Sequence, residues 1–142
     1  MSGFDLGPFT ELPFPEHSEL VYVLCYSRPG ATEFRPFYIG ETGRGLGRFG
    51  DYLSAQFTAS TDFRVGRAVR RLREHGSNVT IFWKASPDRA AEEKTLIKLA
   101  RGVGYSLLND VAGYDYRSAK EPEELTRVHN FVDALLTHAT ER

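Results

Sequence analysis

The sequence predicts a single α+β domain, and two observations carry that reading. Three short runs are rich in β-branched and aromatic residues, and helical periodicities lie between and after them. The strand-like runs are ELVYVLCYS (19–27), FYIG (37–40) and NVTIFWKA (78–85). No inter-domain linker, internal repeat or low-complexity tract interrupts the 142 residues. The expected organisation is an extended N-terminal arm over 1–18, a core over 19–110 and a C-terminal helical extension over 111–142.

Taken in order, the arm mixes Phe4, Leu6, Phe9, Leu12 and Phe14 with three prolines, which forbid a long helix and leave aromatics to lie on the domain. The first strand and FYIG form a hairpin with a long loop through RPGATEFRP. After a glycine-rich junction, GRFGDYLSAQF predicts a short, glycine-weakened helix, and FRVGRAVRRLREHG a firmer one that Gly76 ends. Ser86 is the expected cap of a helix begun by Pro87 and running to about Gly102. YSLLND is expected to be extended. Pro122 opens a last helix on which Leu125, Val128, Val132 and Leu135 repeat at helical spacing; core packing is the favoured reading of that stripe, and a dimer seam the alternative to a monomer.

The totals exclude several classes of function. A lone Cys25 leaves no internal disulfide and no multi-cysteine zinc site, and His17, His75, His129 and His138 lack metal-ligand spacing. No apolar run reaches membrane-spanning length and the N-terminus lacks the pattern of a signal peptide, so the expected location is the cytoplasm, with no membrane partner. The net charge of −1 is unevenly spread: residues 28–73 hold nine arginines against four acids, whereas residues 1–27 hold four acids and no Lys or Arg. That distribution points to an anion-binding face in the middle of the chain.

The stretch FYIGETGRGLGRFGDYL (37–53) invites a nucleotide reading, since Gly45 to Gly50 matches G-x-G-x-x-G. A phosphate loop, however, needs Lys and Ser or Thr after its last glycine, and here Leu46 and Gly47 follow Gly45. A dinucleotide fold needs the glycines to adjoin the strand inside a βαβ unit, and ETGR intervenes. Both nucleotide readings are set aside.

The spacing of other residues resembles the GIY-YIG nuclease family, which includes the nuclease domain of bacterial excision-repair proteins and homing endonucleases. The resemblance runs from about Leu20 to Asn109. Tyr38-Ile39-Gly40 reproduces the second motif, and Leu20-Val21-Tyr22 keeps only the tyrosine of the first. Arg48 falls where the family carries its helix arginine, Tyr52 where members have Tyr or His, Glu93 at the metal-binding glutamate and Asn109 at the closing asparagine. Glu41 stands where many members place Lys or Ser; a carboxylate there could repel phosphate or join a metal shell. The resemblance implies a three-stranded antiparallel sheet flanked by helices and a metal-dependent endonuclease cleaving DNA, with RNA also admitted, through Mg²⁺ or substituting Mn²⁺.

The residues can supply that chemistry. Glu93 could hold one Mg²⁺, a hard cation that needs few protein carboxylates when a phosphate supplies further oxygens. At about 100° per residue it shares a helix face with Ala90, Leu96, Ile97 and Ala100, while Glu92 lies between Leu96 and Leu99; periodicity leaves both open and the family spacing selects Glu93. Arg48 would brace the phosphate with its planar fork. Tyr22 or Tyr38 could position or deprotonate the water once a nearby cation lowers the phenol. Tyr52 and Asn109 would supply supporting hydrogen bonds. Arg64, Arg67 and Arg71 recur on one flank of a helix and could track a phosphate backbone, whereas Arg70 and Arg73 fall on the other flank and read as solvated. Two alternatives remain: a catalytically silent nucleic-acid-binding module on the same scaffold, and a protein-interaction domain using the last helix.

Overall fold

The computed structural model describes residues 19–43, 60–111 and 121–138. The N-terminal arm, the glycine-rich junction and the short helix expected from GRFGDYLSAQF lie outside these residues.

Among the described residues the fold is α+β: a three-stranded antiparallel sheet of order β2-β1-β3 with three α-helices. Strand β1 (Leu20–Ser27) is central and buried along its whole length, as an apolar strand covered on both faces must be. Its alternating side chains feed two cores. Leu20, Tyr22, Leu24 and Tyr26 point to one face, where they meet Val65, Ala68 and Leu72 of α1 (Ser60–Glu74) and Val128, Val132 and Leu135 of α3 (Glu121–His138). Val21, Val23 and Cys25 point to the other, against Leu96 and Ala100 of α2 (Arg89–Val103). Each fully buried Leu or Val contributes roughly 1.5–3 kcal/mol of burial. The Val128, Val132, Leu135 stripe is thus core; Leu125 is half-buried.

Strand β2 (Arg35–Thr42) is longer than FYIG suggests. It pairs with β1 from Tyr26↔Arg35 to Leu20↔Thr42, and the register shifts between Leu24 and Cys25. That shift puts both Phe37 and Tyr38 against the α1–α3 core, while Ile39 joins the α2 core. An edge position tolerates the proline, arginine and glutamate that hid the strand's ends in the sequence. Gly30, at φ +79, closes the hairpin loop. Strand β3 (Asn78–Ala85) occupies the predicted run and pairs with the other side of β1.

Two expectations are corrected. Ser86 does not cap α2: the helix starts at Arg89 behind Asp88, because the Ser86 hydroxyl donates instead to Glu92 Oε1 at 2.6 Å. YSLLND is not extended throughout: Leu108–Asp110 forms a 3₁₀ turn, closed by the Asp110 N–H on the Leu107 carbonyl at 3.0 Å. Among the described residues, no helix is long and apolar enough to cross a membrane.

Candidate functional site at the outer edge of the second strand

An edge strand leaves alternate backbone groups facing away from its partner, and these need acceptors and donors from elsewhere. On β2 they are supplied by side chains. The Asn109 amide takes both groups of Ile39, accepting from its N–H at 3.0 Å and donating to its carbonyl at 2.7 Å, so that one side chain mimics a neighbouring strand. The 3₁₀ turn that presents Asn109 is tied to the end of α2 by Arg101, whose Nε donates to Asp110 Oδ1 at 2.9 Å. Two residues further along the same edge, the Glu41 N–H donates to the Glu93 carboxylate.

Glu93 therefore faces inward from α2 against the end of β2. Burial raises its pKa above the ordinary carboxylate range and the Glu41 charge raises it further; the Glu41 N–H and Lys94 oppose this without overcoming it. Glu92, one residue earlier, is held in the opposite direction. Burial disfavours its charge too, but hydrogen bonds from Lys84 and Ser86, with the Lys84 charge, outweigh that and bring its pKa down. Lys84 of β3 also forms an ion pair with Glu92. Among the described residues, Glu93 has no ion-paired Lys or Arg.

The tyrosines approach the same strand from the other face. The rings of Tyr22 and Tyr38 lie 6.3 Å apart, tilted by 42°. Tyr22 is 1% exposed and its hydroxyl lies over Gly40, where a Cβ would come within 2.5 Å of the oxygen. This is why the last residue of Tyr38-Ile39-Gly40 has no side chain. Gly40 and Glu41 are consecutive, so the Tyr22 hydroxyl and the Glu93 carboxylate meet neighbouring residues of one strand end.

Sequence reasoning missed the cation of this region. Arg89, one helical turn before Glu93, donates from Nε to Glu41 Oε2 at 2.6 Å and from Nη1 to Glu19 Oε1 at 2.7 Å. Its Nη2 would lie 3.1 Å from a Cβ on Gly43. The i, i+4 spacing of Arg89 and Glu93 was a usable signal, because such residues share a helix face. Glu41 consequently carries its own counter-ion and helps fasten β2 to the start of α2.

Asn109 and Glu93 thus meet the outer edge of β2, and Tyr22 and Tyr38 approach its end from the sheet face opposite α2. Arg48 and Tyr52 lie outside the described residues. Arg64, Arg67 and Arg71 belong to α1, which packs on the sheet face opposite α2. Arg64 is corrected as a phosphate contact: it is buried, with Nε donating to Glu124 Oε1 at 2.6 Å and Nη1 to the Val111 carbonyl at 2.9 Å. Arg71 is also engaged, its Nε and Nη2 reaching Asp133 of α3 at 3.3 and 3.2 Å.

Among the described residues, no group of three or more His, Cys, Asp or Glu side chains could hold a metal. The donors at the strand end nonetheless suit a hard cation. Glu93 would offer a carboxylate oxygen without an ion-paired Lys or Arg among the described residues, and its ionisation is opposed by burial and then by the Glu41 charge. No family model, curated protein or solved structure matches the chain.

Proposed function

We propose that the chain is a metal-dependent endonuclease that hydrolyses phosphodiester bonds in DNA, with RNA as a second substrate class to be assayed. One observation carries this reading. Glu93, a half-buried carboxylate whose charge is disfavoured by burial and by Glu41, is held at the strand end over which the Tyr22 hydroxyl also lies. A fold gains no stability from such a carboxylate, and perturbed groups of this kind concentrate at functional sites. The residue pattern that resembles the GIY-YIG nucleases supplies the reaction class.

In this reading Glu93 would hold Mg²⁺, which when bound draws charge from the phosphate oxygens. Tyr38, half-buried and close to Tyr22, orients the attacking water, and either phenol serves as the group that takes its proton. Asn109 keeps Ile39, and with it the Tyr38-Ile39-Gly40 segment, at a fixed position. Arg48 remains the sequence-based choice for bracing the phosphate.

Glu93→Ala should abolish cleavage of plasmid and linear duplex in Mg²⁺ or Mn²⁺ while leaving folding and DNA binding in chelator intact. Glu92→Ala is the matched control, since its partners are Lys84 and Ser86. Full activity of the Glu93 variant, or equal loss in both, sinks the assignment. Binding without cleavage by the parent under every metal would favour the silent module, and neither binding nor cleavage the interaction domain.

A further inference from the structure

The arginines of α1 divide differently from what helical spacing suggests. Arg64 and Arg71 turn towards α3 and are held by Glu124 and Asp133. Arg67, Arg70 and Arg73 remain. Arg70 and Arg73 are exposed and Arg67 is half-buried, and among the described residues none of the three is ion-paired. At about 100° and 1.5 Å per residue, each step of three moves about 60° around the helix and about 4.5 Å along it, so the three follow one continuous strip.

Arg67 differs from a solvated arginine. Its guanidinium carbon lies 5.5 Å from the centroid of the Phe63 ring, and its Nε is buried without a hydrogen-bond partner. The ring restricts the side chain, and a guanidinium with one nitrogen already withdrawn from water gains more from an anion than a fully hydrated one does. Glu74 stands one turn beyond Arg70 on the same strip, unpaired among the described residues, and its charge subtracts from the field.

We propose that Arg67, Arg70 and Arg73 form a contact surface for the phosphate backbone of nucleic acid, in place of the row through Arg64 and Arg71. The proposal rests on nucleic acid being the partner of the chain. It takes phosphates and not base edges, because three arginines in a strip neutralise a regular line of charge and carry no sequence information. A duplex backbone is the best match, being the densest such line.

The test is binding of a fluorescein-labelled duplex in chelator, followed by anisotropy across a salt series of about 50 to 200 mM, the range over which backbone contacts are lost. Changing Arg67, Arg70 and Arg73 together to Gln should flatten the slope of log K against log salt by up to about three contacts at roughly 0.9 each. Arg71→Gln should leave the slope unchanged, and Glu74→Gln should tighten binding. An unchanged slope in the triple variant, with its melting transition intact, overturns the surface; so does an Arg71 effect as large as that of the triple. If the parent cleaves while the triple variant binds with the parental slope, the surface falls and the nuclease reading stands. If the slope changes but no metal supports cleavage, the nuclease reading falls and the surface stands. A parent that binds no nucleic acid removes both.

Discussion

The seam between α1 and α3 and the outer edge of β2 both gather guanidinium and carboxylate groups, and they differ in which charge is in surplus. At the seam Glu124 is shared by Arg64 and Arg127, and Asp133 is taken by Arg71, so each of these acids has an arginine. At the strand edge Glu19 and Glu41 share Arg89, and Glu93, with no ion-paired Lys or Arg among the described residues, is buried beside the Glu41 charge, which the Glu41 N–H and Lys94 do not outweigh. The first arrangement is what packing two helices with polar flanks requires. The second leaves a carboxylate in conflict with its surroundings, a conflict expected where a site serves something other than folding.

The largest effect expected is at the seam. Glu124 is 1% exposed, so Arg64→Met strands a buried charge whose remaining ion-pair partner among the described residues is Arg127 at 3.5 Å, and should cost about 3–5 kcal/mol in denaturant unfolding. Replacing both partners, Arg64→Met with Glu124→Leu, should recover most of that. A double variant as unstable as the single one would mean that the pair is not the source of the loss.

At the strand edge, Asn109→Ala should cost about 1–3 kcal/mol, because it leaves an N–H and a carbonyl of Ile39 without their partner. Amide exchange at Ile39 should accelerate more than exchange in β3, which distinguishes local loss at the edge from general destabilisation.

Arg71→Gln marks the low end of the seam. Its side chain is 26% exposed and that of Asp133 47%, so the pair is screened and should contribute about 0–1 kcal/mol. A loss as large as that of Arg64→Met would erase the distinction between the two pairs.

The smallest effect has the opposite sign. Glu93 binds its proton more tightly in the folded chain than in the unfolded one, so its contribution to stability falls as pH rises from the ordinary carboxylate range through its raised native value. Gln keeps an acceptor for the Glu41 N–H and carries no charge. Glu93→Gln in chelator should therefore show little pH-dependent gain in acid and gain stability over the parent as pH rises through that window. A variant less stable than the parent at neutral pH would remove the conflict on which the comparison rests.

How much of this was legible in advance varies by element. Strand β3 coincides with its apolar run, whereas β2 extends two residues past FYIG at each end, because Arg35, Pro36 and Glu41 have no strand signature, Thr42 lies beyond Glu41, and pairing with β1 holds them there. Periodicity put Glu93 on a face with Leu96 and Ala100, which are buried, and with Ala90, which is exposed; it left Glu92 open, and the choice of Glu93 rested on the family spacing. Its meeting with Glu41 could not be read, since the two are far apart in sequence. The same holds for Asn109 on Ile39, seventy positions away.

The sequence by itself determined the α+β class, the central apolar strand and the inward face of α2, because these follow from side-chain type and from periods of two and 3.6 residues. Tertiary structure alone decided which charges are neutralised. Helical spacing gives the angle at which an arginine leaves α1 and says nothing of whether Glu124, Asp133 or water stands opposite, so Arg64 and Arg71 became structural while Arg67, Arg70 and Arg73 stayed outside any ion pair among the described residues. Coulomb energy depends on distances between elements brought together by the burial of apolar faces, and those distances exist only once the chain has folded.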